Sequence, residues 1–190
     1  MFYIISGTDR PDSRSYEVAQ FVKPFYEKNF ANVEIINLAD LGLNSLTGQH
    51  YGEAEKPEKV AAAIAKLDQC EGMLVICPEY NGSMPGALKY FIDFWSYPKT
   101  FEYRPVAFIG LGGQFGGLRP VEHLQQVFGY RNAFILPNRV FLINVWGLLN
   151  DGKITDKTIV ELLQIQADNF GKFIKGLKDN KLSANHFSNS

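Results

Sequence analysis

The chain has 190 residues, 46% of them hydrophobic and 21% charged, which suits a single domain with a packed core and excludes a disordered chain. Its 19 basic and 20 acidic residues give a net charge of −1, without the basic run that nucleic acid or an anionic membrane would require. No apolar run is long enough to span a bilayer, and the amino-terminal segment lacks the pattern of a signal peptide. We therefore expect a cytoplasmic protein that binds neither nucleic acid nor a membrane.

The first half of the chain alternates short apolar runs with a helical pattern. A strand is predicted at Phe2–Ser6, followed by apolar residues at helical spacing within residues 13–30. Pro24 lies inside this pattern and predicts a kink or an early stop of the helix. A second strand is predicted at Val33–Leu38. The stretch from Gly42 to Lys56 is polar and has no clear period, so no element is predicted there.

The middle of the chain continues this alternation. A helix is predicted to begin at Pro57, since proline suits a first helical position. The third and fourth strands, GMLVIC at residues 72–77 and PVAFIGL at residues 105–111, are nearly all apolar. Strands of that composition are typical of a sheet that is covered on both faces. Pro120 then opens a further helix, for which Gly129 is the predicted stop.

The last part of the chain completes one domain, predicted to span residues 1–180. A fifth strand is predicted within residues 132–145, interrupted by Pro137. Thr155 is predicted to cap the last helix, whose apolar residues recur at helical spacing. Residues 181–190 are polar and are predicted to form a flexible tail.

Five strands alternating with five helices predict an α/β fold. The expected architecture is a doubly wound, five-stranded parallel sheet with helices on both faces, in three layers. Ligands of such sheets bind beyond the carboxyl ends of the strands, where the strand order reverses. The loops that follow the first, third and fourth strands are therefore the candidate ligand-binding loops.

The first of these loops, SGTDRPDSRS, is rich in small hydrogen-bond donors and leads into a helix. The candidate hydroxyl donors in it are Thr8, Ser13 and Ser15, and the candidate cation is Arg10. Together with the free N–H groups of a helix amino terminus, they would cradle a phosphate. The alternative is an ordinary helix start that Ser13 or Asp12 caps, with Arg10 in solvent.

The second loop places polar and aromatic groups directly after a buried strand. Its residues are Pro78, Glu79, Tyr80, Asn81, Gly82 and Ser83. Tyr80 offers an aromatic face, while Asn81, Ser83 and the backbone around Gly82 offer donors and acceptors. Those groups would suit the edge of a heteroaromatic ring with carbonyl and imide groups. The alternative is a capped turn with exposed polar residues.

The third loop, GLGGQFGG, lacks the last glycine of the dinucleotide fingerprint because Phe115 occupies that position. A nicotinamide site of the usual dinucleotide-fold kind is thus disfavoured. Its glycines allow a flat ligand to approach the backbone closely, although a flexible surface turn would also explain them. A single mononucleotide with a large flat base, such as flavin mononucleotide (FMN), would use all three loops.

The stretch PEYNGSMPGALKYFIDFWS closely resembles the signature of the NAD(P)H-dependent FMN reductases. These proteins have a flavodoxin-like fold, which implies the strand order 2-1-3-4-5, and include quinone, azo-dye and chromate reductases. The matched positions are Pro78, Glu79, Tyr80, Asn81, Leu88, Lys89, Ile92, Asp93 and Trp95. The phosphate loop of the family resembles Gly7, Thr8, Arg10 and Ser13, and its third loop resembles Gly112, Gly113, Gln114 and Phe115. The chain departs from the family at Ser15 and Tyr90, where asparagine is common.

The resemblance implies an oxidoreductase that passes hydride from NADH or NADPH through bound FMN to a small acceptor by a ping-pong route. The acceptor would be a quinone, an azo compound, a metal ion or free flavin. Since the cofactor carries the chemistry, no catalytic acid or base is assigned. One alternative is a flavin-binding electron carrier without nicotinamide turnover, which the near-neutral charge disfavours. Another is a domain that retains the fold without the ligand.

Two further expectations concern partners and metals. The helix Leu88–Trp95, LKYFIDFW, is apolar on nearly every side, which predicts a homodimer, or a tetramer, that uses this helix. The alternative is that loops with Phe101 and Tyr103 cover it. The two cysteines, Cys70 and Cys77, are too few for a disulfide framework, and the histidines lack the spacing of a metal site, so neither is expected.

Overall fold

A computed structural model describes residues 1–45 and 56–187 of the chain. The stretch from Gly42 to Lys56, for which no element was predicted, lies mostly outside the described residues. The strands of the main sheet are β1 (Phe2–Ser6), β2 (Val33–Asn37), β3 (Gly72–Pro78), β4 (Pro105–Leu111), β5 (Phe134–Ile135) and β6 (Val140–Leu142). The longer helices are α1 (Arg14–Glu27), α2 (Glu58–Leu67), α3 (Gly86–Asp93), α4 (Leu118–Gly129) and α6 (Lys157–Asp179).

Shorter elements connect these. Two 3₁₀ turns at Leu38–Asp40 and Leu43–Ser45 follow β2. After β6 come the four-residue helix α5 (Val145–Leu148) and a small antiparallel pair, β7 (Leu149–Asn150) and β8 (Lys153–Ile154). The predicted flexible tail contains the short helix α7 (Ala184–Phe187).

The main sheet is parallel and has the order β2-β1-β3-β4-β5, with β6 also paired to β4. The predicted α/β fold and its 2-1-3-4-5 order are thus confirmed. Phe134 pairs with Pro105, and Val140 pairs with Ile109, so β5 and β6 are two parts of one edge strand. The chain leaves the ladder around Pro137, as predicted, because proline has no N–H to donate.

Each face of the sheet is covered by its own hydrophobic core, which gives the three expected layers. Alternate residues of β3 serve the two cores: Met73 and Val75 face the core under α2, α3 and α4, whereas Leu74 and Ile76 face the core under α1 and α6. This burial on both faces explains why the central strands are continuous apolar runs rather than alternating ones.

Two predicted helix boundaries were wrong. Helix α1 does not stop at Pro24 but continues to Glu27; only one turn of helix remains after the proline, and the carbonyl that loses its helical hydrogen bond belongs to the exposed Gln20. The alternative, a kink at Pro24, stays a prediction. Helix α6 is capped by Asp156 and not by Thr155. The Asp156 carboxylate accepts a hydrogen bond of 3.0 Å from the backbone N–H of Ile159, which fixes the start of the helix one residue later.

Helix α3 is covered within its own chain, contrary to the argument that it needs a partner. Leu88, Phe91 and Ile92 are buried, as are Phe94 and Trp95 after the helix, and Trp95 itself is 5% exposed. The Trp95 ring lies 5.1 Å from the ring of Phe101 and 5.7 Å from that of Phe128. The apolar sequence of this helix is therefore explained by packing within its own chain, and the oligomeric state remains a prediction.

None of the helices among the described residues has the length and apolar character needed to cross a bilayer. The residues that the structure describes also contain no group of three or more His, Cys, Asp or Glu side chains that could hold a metal ion. Cys70 and Cys77 are free and buried, and burial raises the pKa of Cys70 to about 11.

Candidate functional site

A cleft of about 380 Å³ opens at the carboxyl edge of the sheet, where the loops after β1, β3 and β4 meet. Parallel strands all end at one edge, which is why these distant loops converge. The predicted site residues that line the cleft are Thr8, Arg10, Ser13, Ser15, Pro78, Glu79, Tyr80, Gly112 and Gly113. The predicted residues that do not line it are Asn81, Gly82, Ser83, Gln114 and Phe115.

The first loop ends in a capped helix. The Ser13 hydroxyl accepts a hydrogen bond of 3.2 Å from the backbone N–H of Tyr16, so Ser13, rather than Asp12, is the cap of α1. Asp12 instead has a positive φ of 52°, which turns the chain into the helix. The Thr8 hydroxyl oxygen accepts from the backbone N–H of Arg10 at 3.3 Å. Both interactions fix the loop around the floor of the cleft.

Ser15 is the most informative residue of this loop. It is 1% exposed, lies in the first turn of α1, and lines the cleft. Its hydroxyl has no hydrogen-bond partner among the described residues. A buried polar group without a partner costs about 1–3 kcal/mol, and the first N–H groups of a helix also lack partners within it. Such a set of donors fits an anion, and a phosphate in particular.

Two cations lie at this end of the cleft, although the sequence argument named only Arg10. Arg14, the first residue of α1, also lines it. Its guanidinium donates to the backbone carbonyl of Leu149 at 3.2 Å and lies 3.5 Å from the Glu17 carboxylate. Arg14 is thus partly neutralised and held in place, whereas Arg10 is exposed at the rim.

Tyr80 joins the first loop to the second. Its hydroxyl lies 2.9 Å from the hydroxyl of Thr8, and this hydrogen bond connects residues 72 positions apart in the sequence. The side chain therefore closes one side of the cleft. This contact was beyond sequence analysis, since it depends on how the two loops meet.

The segment Tyr80–Ser83 is a tight two-residue hairpin turn. Tyr80 and Ser83 exchange backbone hydrogen bonds of 2.9 and 3.0 Å, and the two residues between them have positive φ angles of 50° and 78°. Asn-Gly is the preferred pair for such a turn. The Ser83 hydroxyl lies 2.8 Å from Nδ1 of His123 and not in the cleft. Asn81, Gly82 and Ser83 thus belong to a turn with polar residues, and their contact with FMN stays a prediction.

Glu79 lies at the junction of the second and third loops. Its backbone N–H donates to the carbonyl of Leu111 at 3.0 Å, and its carboxylate lies 3.9 Å from the guanidinium of Arg119. That guanidinium also lies 5.2 Å from the centre of the exposed Phe115 ring. Arg119 thereby connects the two loops at the rim of the cleft.

The glycines of the third loop have different structural reasons. Gly112 and Gly113 line the cleft and present backbone to it. Gly117 precedes α4 with a φ of +81°, and a Cβ there would lie 2.5 Å from the backbone nitrogen of Leu111. Only glycine fits at that position.

Sequence analysis missed one wall of the cleft. Val145 and Trp146, from α5, line it next to the glycines. A Cβ added to Gly113 would lie 3.3 Å from the Trp146 ring, so the indole packs directly on this backbone. The fifth strand ends at the same edge as the others, and applying the carboxyl-edge rule to it would have found this segment.

Comparison with known proteins identifies the family. Residues 2–147 match the family model of the NADPH-dependent FMN reductases. The chain belongs to this family.

Individual relatives agree with this assignment. A 2-hydroxy-1,4-benzoquinone reductase of a Burkholderia species is 25% identical, over 90% of this chain and 94% of its own length. The quinone reductase of Escherichia coli K12 is 30% identical, over 75% of this chain and 78% of its own. The structure of FerB, a flavoenzyme NAD(P)H:(acceptor) oxidoreductase from Paracoccus denitrificans, has a TM-score of 0.71 at 22% identity, covering 92% and 97% of the two chains. This last likeness concerns the fold alone.

The family prediction is confirmed, and with it the assignment as an NAD(P)H-dependent oxidoreductase with FMN as cofactor. The contacts of individual residues with FMN stay predictions.

Proposed function

We propose that the chain holds FMN in the cleft at the carboxyl edge of the sheet and passes hydride from NADH or NADPH to a quinone. The observation that carries the placement is the buried, unpartnered hydroxyl of Ser15 at the start of α1. When bound, FMN supplies the hydride transfer, and the protein supplies position and exclusion of water.

The phosphate end of the cleft is the start of α1. Ser15 and Ser13 would donate hydroxyl hydrogens to the phosphate, and the free N–H groups of the first turn would add backbone donors. The Ser13 oxygen already accepts the capping hydrogen bond, which leaves its hydrogen available. Arg10 would add a charge-assisted contact from the rim, and Thr8 would position its own loop.

The ring end of the cleft is the backbone of Gly112 and Gly113. The backbone of both residues lines the cleft, while the position of a missing Cβ is occupied by Gly117 and Glu79 at Gly112 and by the Trp146 ring at Gly113. Pro78, Glu79 and Tyr80 form the adjoining wall, and the Tyr80–Thr8 hydrogen bond sets the distance between the two ends.

A quinone is the acceptor that the relatives support best, since two of them are named quinone reductases and one of these acts on a benzoquinone. The nicotinamide and the quinone would use the cleft in turn, which corresponds to ping-pong kinetics.

The assembly we favour is a homodimer. A second groove, of about 660 Å³, lies between α3 and α4 and is bordered by Tyr97 and Tyr130, which are 62% and 77% exposed. Such an apolar surface supports association with a second copy. Light scattering at micromolar concentration tests this, and a monomer would contradict it.

The two free, buried cysteines support a reducing, cytoplasmic location.

Anaerobic absorbance measurements test the function. FMN-loaded protein should lose its oxidised flavin absorbance on addition of NADH or NADPH and regain it when 1,4-benzoquinone is added. Comparing the two nicotinamides at equal concentration gives the preference. Flavin that stays oxidised with both nicotinamides would contradict the proposal and favour the electron-carrier alternative.

A further inference from the structure

Trp146 is a large apolar side chain that remains exposed at a ligand cleft. It is 61% exposed, whereas the only other tryptophan, Trp95, is 5% exposed in the core. Single exposed apolar residues are common on protein surfaces, so exposure alone has no functional meaning. Trp146 differs because its indole lines the same cleft as Ser15 and the glycine backbone.

The segment that carries Trp146 is fixed to the floor of the cleft. The backbone N–H of Asn144 donates to the carbonyl of Gly113 at 2.9 Å, and that of Val145 donates to the carbonyl of Gly112 at 3.2 Å. At the other end, the Arg14 guanidinium donates to Leu149, three residues after the tryptophan. The backbone that carries the indole is therefore held in place before any ligand arrives, which lowers the entropy lost on binding.

Gly113 allows the indole to lie where it does. A Cβ at this position would be 3.3 Å from Cζ3 and 3.6 Å from Cη2 of Trp146, so the ring rests on bare backbone. The face or edge that does not touch Gly113 is left to the cleft and to solvent. An aromatic surface beside backbone that lines the cleft suits a flat heteroaromatic ring, which gains from offset stacking or edge contacts.

We propose that Trp146 contacts the ring system of FMN and determines the affinity for the cofactor. This inference rests on the proposed placement of FMN, with its phosphate at Ser15. With the phosphate there, the ring extends along Gly112 and Gly113, and the indole is the largest aromatic surface that adjoins them. Trp146 is thus a binding residue that the segment after the fifth strand adds to the site.

A second copy of the chain is the competing occupant. Ile143, three residues before the tryptophan, is also exposed, and together they could form a contact between copies. Contact of Trp146 with FMN depends on the FMN concentration, whereas contact with a second copy depends on the protein concentration. Contact with a second copy would change the environment of Trp146 as the protein is concentrated without FMN.

FMN titration of variants tests the role of the ring. Trp146→Ala should weaken binding about tenfold, the order of magnitude found when aromatic stacking partners are removed. Trp146→Phe, which keeps an aromatic ring, should remain within about threefold of the wild type. Leu162→Ala, which removes an exposed apolar side chain on α6 outside the cleft, should leave the affinity unchanged. Equal affinity in Trp146→Ala and the wild type would overturn the inference.

NMR of protein with ¹⁵N-labelled tryptophan gives a readout that needs neither activity nor a stable alanine variant. Two indole N–H signals are expected, and the one missing in Trp146→Phe belongs to Trp146. FMN should shift the Trp146 signal strongly and the Trp95 signal little. An unshifted Trp146 signal at saturating FMN, or one that shifts with protein concentration alone, would overturn the inference.

The two proposals fail separately. Suppose that Ser15→Ala weakens FMN binding, whereas Trp146→Ala binds FMN as the wild type does and FMN does not shift the Trp146 indole signal of the wild type. In that case only the role of Trp146 is wrong. If Ser15→Ala leaves FMN binding unchanged, the placement of the phosphate is wrong.

Discussion

Replacing Ser15 with alanine should affect stability and FMN binding in opposite directions. Without FMN, the variant loses a buried hydroxyl that has no partner among the described residues. Leaving such a group unsatisfied costs about 1–3 kcal/mol, and alanine is also the better helix former. We expect the free energy of unfolding of the FMN-free protein to rise by about 1 kcal/mol in Ser15→Ala.

With FMN, the same substitution removes a donor to a charged phosphate. Hydrogen bonds to charged groups contribute about 1.5–3 kcal/mol, which corresponds to an affinity about ten- to hundredfold lower. FMN at 100 times its dissociation constant adds about 2.7 kcal/mol to the stability of the wild type. At the same FMN concentration, Ser15→Ala should keep only about 0.4–1.4 kcal/mol of that gain.

Urea unfolding with and without FMN, together with FMN titration, measures both effects. Ser6→Ala is the matched control, since the Ser6 hydroxyl is also buried and without a described partner but does not line the cleft. The free energy of unfolding of Ser6→Ala should rise as it does in Ser15→Ala, and the FMN affinity of Ser6→Ala should equal that of the wild type. Equal FMN affinity in Ser15→Ala and the wild type, or equal losses in the two serine variants, would refute the reasoning.

Three further predictions concern the turn, the glycines and the cysteines. Asn81→Gly keeps a residue suited to positive φ, so its FMN affinity, measured by titration, should stay within about twofold of the wild type. A large loss of affinity would indicate that the Asn81 side chain contacts the FMN ring. Gly117→Ala should lower the free energy of unfolding, measured with urea, by about 2–5 kcal/mol, because its backbone is left-handed and a Cβ would overlap with Leu111. Gly176 is an open position in α6, so Gly176→Ala should raise the free energy of unfolding by about 0.5–1 kcal/mol. Because burial raises the pKa of Cys70 to about 11, its thiol stays protonated at pH 8, and iodoacetamide should label it only after unfolding; rapid labelling of the native protein would contradict this.

The fold was predictable because its signals are local. Apolar runs without alternation indicate strands covered on both faces, and the interruption of the edge strand follows from one proline, Pro137. The convergence of the loops after β1, β3 and β4 was also predictable, since parallel strands end at one edge. Ser15, Tyr80 and Gly113, one from each of these loops, do line one cleft.

The details beyond sequence analysis depend on long-range packing or on competing local preferences. The partners that cover Trp95 are distant in sequence, so the burial of this residue within its own chain could not be predicted. The Asn81–Gly82 pair was assigned to a ring edge and also forms a hairpin turn, for which Asn-Gly is a strong signal, so its contact with FMN stays a prediction. Trp146 was missed because only three of the five strand ends were considered.

A crystal structure of the protein grown with FMN tests the central claim most directly. The proposal predicts the FMN phosphate within hydrogen-bond distance of the Ser15 hydroxyl at the start of α1, and the ring over Gly112 and Gly113. Flavin bound instead in the groove between α3 and α4, or a phosphate remote from Ser15, would contradict it.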